Sequence, residues 1–124
     1  NNDHYVLEEG QAVAIEPFAT NGEGYVNDAP GHYIFSYMAN KPFRMKSTQR
    51  VLKYIQQNHK YVPFSGRWIT DEFGERKGAI ALKQLSGAMA IYPYAPLREK
   101  KDCFVSQKEH TIIVEKEGCT VTTI

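Results

Sequence analysis

Cysteine is scarce in this chain: Cys103 and Cys119 are the only two in 124 residues. A structural metal site made of thiolates calls for a tighter cluster or for nearby histidines. The pair therefore reads as free thiols in a reducing cytoplasm, with a single disulfide left open. Net charge is also small. Fifteen Lys and Arg stand against fourteen Asp and Glu, leaving +1 and a pI near 7.9. A dedicated nucleic-acid binder carries a clear basic excess, so no nucleic-acid partner is expected. No apolar run approaches the roughly 20 residues that span a bilayer, so no membrane partner is expected either. The start, Asn1-Asn2-Asp3-His4, is polar and lacks Met. It does not read as a signal peptide, and it suggests a cleaved or processed chain. Repeats and low-complexity stretches are missing as well.

What is present is ordinary globular composition, 42% hydrophobic and 23% charged. At this length a moderate core needs no covalent staple. The start and end read as β, the middle as helix. Ala12 to Ile15 is a short apolar run that suits a buried strand, ended near Glu16 by Pro17. Tyr33 to Met38 is aromatic and β-branched and reads as another strand. Ser47 is a candidate N-cap for a helix over 48–58 with Val51, Leu52 and Ile55 on one face. Pro63 suits the start of a second helix, on which Phe64 and Trp68 would share a face. A third helix runs over 76–88 with Ile80, Ala81, Leu82 and Leu85 as its apolar set and Gly87 near its end. Pro93, Pro96 and the charged run Arg98 to Asp102 mark a loop. Cys103 to Gln107, Glu109 to Glu115 and Cys119 to Thr123 follow as strands, the last two joined by a hairpin at Lys116-Glu117-Gly118.

Two carboxylates stand at the ends of apolar strand patterns. Glu16 follows Ala12-Val13-Ala14-Ile15, and Glu109 precedes Thr111-Ile112-Ile113-Val114. A buried charge there costs several kcal/mol unless it is paired or bound to a metal. The plainer alternative is a strand-end Glu facing water. On a strand, His110 points away from Glu109, while Gln107 and Thr111 share its side and are the better candidates to orient it. His32, in a loop before a strand, is either a substrate contact or a surface imidazole. His4 and His59 lie in polar surroundings and read as solvated. Three helices and a hairpin also suggest a winged helix, but the third helix holds only Arg76, Lys77 and Lys83 as cations.

Ala14-Ile15-Glu16-Pro17-Phe18-Ala19-Thr20 resembles the IEPFAT motif of archaeal (type 2) methionine aminopeptidases, and Glu109 to Glu115 resembles their EHTIIVE motif. Tyr5-Val6-Leu7 with Gly10 resembles the turn that precedes the first motif. Between the motifs, Val62-Pro63-Phe64, Arg67-Trp68, Ala81 to Leu85 and Tyr94 to Leu97 match the helical insertion of type 2 enzymes in order. The resemblance implies an α+β chain: the carboxy-terminal part of a pita-bread fold, with residues 1–40 and 95–124 as its β-rich catalytic portion. Residues 41–94 would be a winged-helix-like insertion. It further implies a cytoplasmic hydrolase that trims the initiator Met from nascent proteins with two divalent ions, Co, Mn, Fe or Zn. By motif match Glu16 is a metal ligand and candidate general base, and Glu109 bridges both metals. His32 contacts substrate, and Phe18, Ile34, Pro63 and Tyr94 line the pocket for the Met side chain. Lys108 departs from the family's usual Phe.

Family enzymes are about twice this length or more, and their two Asp ligands and His ligand match nothing here. The expected partners are therefore a peptide with an N-terminal Met and the remaining, amino-terminal portion of the enzyme. The chain alone is expected to be inactive. A non-enzymatic protein of the same fold, a winged-helix module, and a creatinase- or prolidase-like enzyme are the competing readings. The retained Glu16 and Glu109, the near-neutral charge and the helical insertion argue against them in turn.

Overall fold

The computed structural model describes residues 4–123. In chain order it holds strands β1 (Ala12–Ile15), β2 (Phe18–Thr20), β3 (Asn27–Asp28) and β4 (Ile34–Tyr37), then helix α1 (Lys46–Asn58). Strand β5 (Phe64–Ser65) leads into α2 (Gly66–Phe73) and α3 (Glu75–Gly87). Strands β6 (Ile91–Tyr94), β7 (Leu97–Arg98), β8 (Val105–Gln107), β9 (His110–Glu115) and β10 (Gly118–Val121) follow. Two compact units result: residues 28–97, and residues 1–27 together with 98–124. β3 pairs with β7 where the chain passes from one unit to the other. No helix among the described residues is long and apolar enough to cross a membrane.

In the 28–97 unit, helical periodicity builds the core. Val51, Leu52 and Ile55 of α1 are buried against Ala81, Leu82 and Leu85 of α3, Ile69 of α2, and Phe35, Phe64 and Ile91 of the sheet. Each large apolar side chain so buried contributes about 1.5–3 kcal/mol. The sheet has the order β5-β4-β6, antiparallel throughout, so this unit is larger than the helical stretch 41–94 alone. Gly78 is the contact point of α2 and α3: a Cβ there would sit 2.8 Å from Thr70 Cα. Thr48 is fully buried and donates to Gln84 Oε1 at 2.5 Å, which ties α1 to α3.

Several local expectations fail here, each for a physical reason. α1 starts at Lys46 after an extended Met45, so Ser47 is inside its first turn rather than its cap. Gln49 turns back instead, accepting from the Phe43 N–H at 2.9 Å. Pro63 precedes β5, and the second helix begins only at Gly66, where Ser65 Oγ accepts from the Arg67 N–H. Phe64 is therefore a buried strand residue, while Trp68 on α2 is 46% exposed. His59 is not simply solvated: its ring lies 5.4 Å from Phe64 and 5.5 Å from Trp68. Ile80 is 40% exposed because it falls outside the stripe formed by Ala81, Leu82 and Leu85. Pro93 sits within β6 rather than a loop; β6 is an edge strand, where a missing N–H is tolerated. The hairpin β9–β10, the expected wing, pairs with β1 in the other unit.

α3 ends in a Schellman arrangement, with Ala90 N–H donating to Leu85 O and Met89 N–H to Ser86 O, both at 2.9 Å. The left-handed position is filled by Met89 (φ 54°) rather than by Gly87.

The unit formed by 1–27 and 98–124 holds the sheet β1-β9-β10 and the pair β2-β8. Its apolar strand residues are poorly covered. Ile112 is its buried aliphatic residue, whereas Ile15 is 50% exposed and Phe18 44%. The expected buried strand at Ala12 to Ile15 is thus largely open, because among the described residues this unit has no helix to lay over the sheet.

One carboxylate in this unit is buried. Glu99 is 6% exposed, and its Oε1 accepts from the Glu23 N–H at 3.0 Å. That backbone donor lowers its pKa from the usual carboxylate range, against the opposing effect of burial. Gly22 leaves room for it: a Cβ there would lie 2.6 Å from the Glu99 carboxyl carbon, so a larger residue would displace that side chain.

Two outcomes follow from these caps. Met89→Gly should raise stability by about 0.5–1 kcal/mol, as relief of left-handed strain exceeds the added freedom of the unfolded chain; urea unfolding measures it. Because the Glu99 carboxyl titrates lower in the folded state, its stabilisation is complete above the ordinary Glu value and disappears as pH falls through the depressed one. Glu99→Gln should therefore destabilise at pH 7 and narrow toward parity in acid, read from melting temperatures between about pH 7 and 3. A deficit independent of pH would contradict this assignment.

Candidate functional site

The ladder between β1 and β9 pairs Ile15 with His110, and the ladder between β2 and β8 pairs Phe18 with Gln107. The two ladders are in the same register, and Lys108 N–H donates to Pro17 O at 3.3 Å between them. Glu16 consequently lies opposite Glu109. Opposed residues of an antiparallel pair project to the same side, with Cβ atoms about 4.5–5.5 Å apart. Pro17 interrupts the strand between β1 and β2 without shifting the register.

Gln107 Nε2 donates to Glu16 Oε2 at 3.0 Å. The amide holds one carboxylate oxygen and leaves the other free. Thr111 pairs with Ala14, two residues along from Glu109, and its backbone N–H donates to Thr123 Oγ1. His110 Nδ1 lies 2.5 Å from Thr123 O, so it donates there and is engaged away from the carboxylates. Two like charges opposite each other are unfavourable in a bare ladder, and a cation shared by them removes that cost. Among the described residues no group of three or more His, Cys, Asp or Glu assembles.

The 28–97 unit gathers a second set. His32 Nδ1 lies 3.3 Å from Tyr94 O. A carbonyl only accepts, so Nδ1 carries the proton, and Nε2 is an acceptor when the ring is neutral and a donor only when it is charged. Ile34 pairs with Tyr94 across β4 and β6, and Tyr94 OH donates to Ser36 Oγ at 3.4 Å. Tyr33, Ile34, Tyr94, Ala95 and Pro96 line an apolar hollow of about 140 Å³. Pro63 does not border it. Phe18 lies on β2, in the unit that holds the two Glu.

Sequence reasoning missed Glu99, which sits in a run of five charged residues that reads as a solvated loop. Nothing local marks it; its burial depends on the turn at Gly22 and Glu23 far away in sequence.

No family model matches the chain. It is 49% identical over 121 residues to the methionine aminopeptidase of Thermococcus kodakarensis, covering 98% of this chain and 41% of that protein. With the methionine aminopeptidase of Methanothermobacter thermautotrophicus it shares 45% over 117 residues, 94% of this chain and 39% of the relative. Methionine aminopeptidase 2 of Verticillium alfalfae matches at 36%, over 92% of this chain and 26% of its own length. A solved structure, that of a thermophilic Arx1, superposes with a TM-score of 0.80 at 20% identity, over 94% of this chain and 31% of its own. That likeness concerns the fold, which in Arx1 is the pita-bread fold. Across nearly all of its residues the chain is similar to the archaeal methionine aminopeptidases, spanning about two fifths of their length.

Proposed function

We propose that the chain is the carboxy-terminal part of a methionine aminopeptidase, a metal-dependent exopeptidase that removes the initiator Met from nascent proteins. The observation that carries this reading is the placement of Glu16 opposite Glu109, with Gln107 fixing Glu16, in a chain so similar to those enzymes. In it, Glu16 and Glu109 would be two of the ligands that hold a pair of divalent ions. The remaining ligands would come from residues outside this chain. The open apolar sheet of the 1–27 and 98–124 unit supports this, because a half-covered sheet face is what a missing layer leaves.

Carboxylates suit Mn, Fe or Co, and Zn is compatible. When bound, such a pair of ions makes a water acidic enough to attack and polarises the scissile carbonyl. The chain's own residues do the rest. Glu16, with one oxygen held by Gln107, takes the proton of the attacking water at the other. Thr111 supports Glu109 from its own side of the strand. His32 presents Nε2 to the peptide, which it meets as an acceptor when neutral. Ile34 and Tyr94, which line the apolar hollow of the 28–97 unit, contribute apolar surface for the Met side chain, which an apolar pocket selects by shape. Within the 28–97 unit, residues 41–94 correspond to the helical insertion of type 2 enzymes. A cytoplasmic location fits an enzyme acting on new proteins and the free thiols of Cys103 and Cys119.

The test is release of Met from a Met-Ala-Ser peptide with Mn or Co, by the chain alone and then with the amino-terminal portion of the enzyme added. The lone chain should be inert and the complemented pair active. Gln107→Ala should lower the pair's activity roughly 10–100-fold, and Glu109→Ala or Glu16→Gln more than that. Brisk turnover by the lone chain, or full activity in Glu16→Gln, rules the reading out.

A further inference from the structure

The turn between α2 and α3 bounds a second hollow in the 28–97 unit. Gly74 (φ 84°) reverses the chain there, and the two helices touch at Gly78. Arg67 and Thr70 are one turn apart on α2, while Glu75, Ala79 and Leu82 recur at helical spacing on α3. Together with Phe35 they border a hollow of about 280 Å³. Its floor is apolar and close-packed: a Cβ on Gly66 would lie 2.9 Å from the Phe35 ring and 3.2 Å from Leu82. Ile34 and Phe35 project to opposite sides of β4. This hollow is therefore not the one beside Ile34 and Tyr94, although Tyr33 borders both.

Most of its polar groups are already committed. Ser65 Oγ accepts from the Arg67 N–H at 3.3 Å, and Thr70 Oγ1 donates to Arg67 O at 2.9 Å. His32 turns Nδ1 to Tyr94 O. Two opposite charges are left. The described residues contain a single ion pair, Lys100 with Glu23 in the other unit, so Arg67 and Glu75 border one hollow without being joined to each other. Arg67 stands in the first turn of α2, where the helix dipole disfavours a cation and no acidic residue accompanies it. A side chain at odds with its local setting is what binding sites tolerate.

From this we infer that the hollow between α2 and α3 binds a free apolar α-amino acid. Arg67, with the N-terminus of α2 beside it, receives the carboxylate. Glu75 receives the ammonium, and the side chain lies on Phe35 and Leu82. A zwitterion carries its two charges on one carbon, which suits two unpaired charges of opposite sign on one small hollow. The volume lies at the lower end of the range for ligand pockets, where a single amino acid fits. A peptide is a poorer match, since its first residue has no free carboxylate to offer Arg67. Methionine is the natural probe because the function proposed above releases it, but the class of ligand does not depend on that reading.

The experiment is isothermal titration calorimetry of the full chain with L-methionine at pH 7, without divalent metal and without the amino-terminal portion. Peptidase activity plays no part in this readout, so its failure and that of the proposed function are separable. Binding in about the millimolar range is expected for so small a ligand. N-acetylmethionine and methionine amide each lack one charge and should bind roughly tenfold more weakly or worse. R67Q should erase the preference for methionine over its amide while keeping that over N-acetylmethionine, and E75Q should do the reverse. The control R50Q should match the parent, and circular dichroism should show all the variants folded alike. Equal affinity for the three ligands, no binding at tens of millimolar, or unchanged preferences in R67Q and E75Q overturns the proposal. So does tighter binding of inorganic phosphate or of a Met-Ala-Ser amide than of methionine.

Discussion

The arrangement turns on an antiparallel register. Two short ladders, β1 with β9 and β2 with β8, keep the same phase across the interruption at Pro17, and this sets Glu16 against Glu109. A slip of one residue would send one carboxylate to the other side of the sheet. The Lys108–Pro17 backbone hydrogen bond guards against that slip at the point where regular pairing lapses. Gln107 then selects which oxygen of Glu16 remains available. Backbone pairing thus performs the coarse placement, and one side-chain amide performs the fine one.

Much of this was legible in the residues. The helical stripe of Val51, Leu52 and Ile55 announces its burial, because a 3.6-residue period leaves little freedom in which side faces the core. The alternation of Gln107 with Glu109 is likewise local, and the Gln107–Glu16 hydrogen bond agrees with it. The errors fell where one particular partner decides. Pro93 looks like a breaker, yet β6 is an edge and accepts it. Ser47 looks like a cap, yet Gln49 reaches Phe43 and the helix starts earlier. Glu99 looks solvated, yet the Glu23 N–H and the bare Cα of Gly22 make a place for it. His59 looks polar, yet it is stacked on Phe64. Pro93 and Glu99 are decided by partners far along the chain, whereas Ser47 and His59 are decided by side chains within about six residues.

The two units are stabilised differently. The 28–97 unit has a closed apolar core tied by the Thr48–Gln84 hydrogen bond and the close approach at Gly78. The unit holding the two Glu is mostly ladder and turn, with Ile112 and Glu99 among its few buried side chains. The closed core and the facing pair Glu16 and Glu109 are therefore lodged in separate parts of the chain.

The pairing of β3 with β7 has a consequence for how such a chain could arise. The polypeptide leaves for the helical unit and returns from it along neighbouring strands, with Ala29 N–H bonded to Pro96 O at 2.7 Å. Entry and exit are side by side, so some seventy intervening residues close a loop whose mouth is one strand spacing wide. A segment of that kind can be gained, lost or exchanged between ancestors without disturbing the ladders on either side, since a short turn would bridge the same gap.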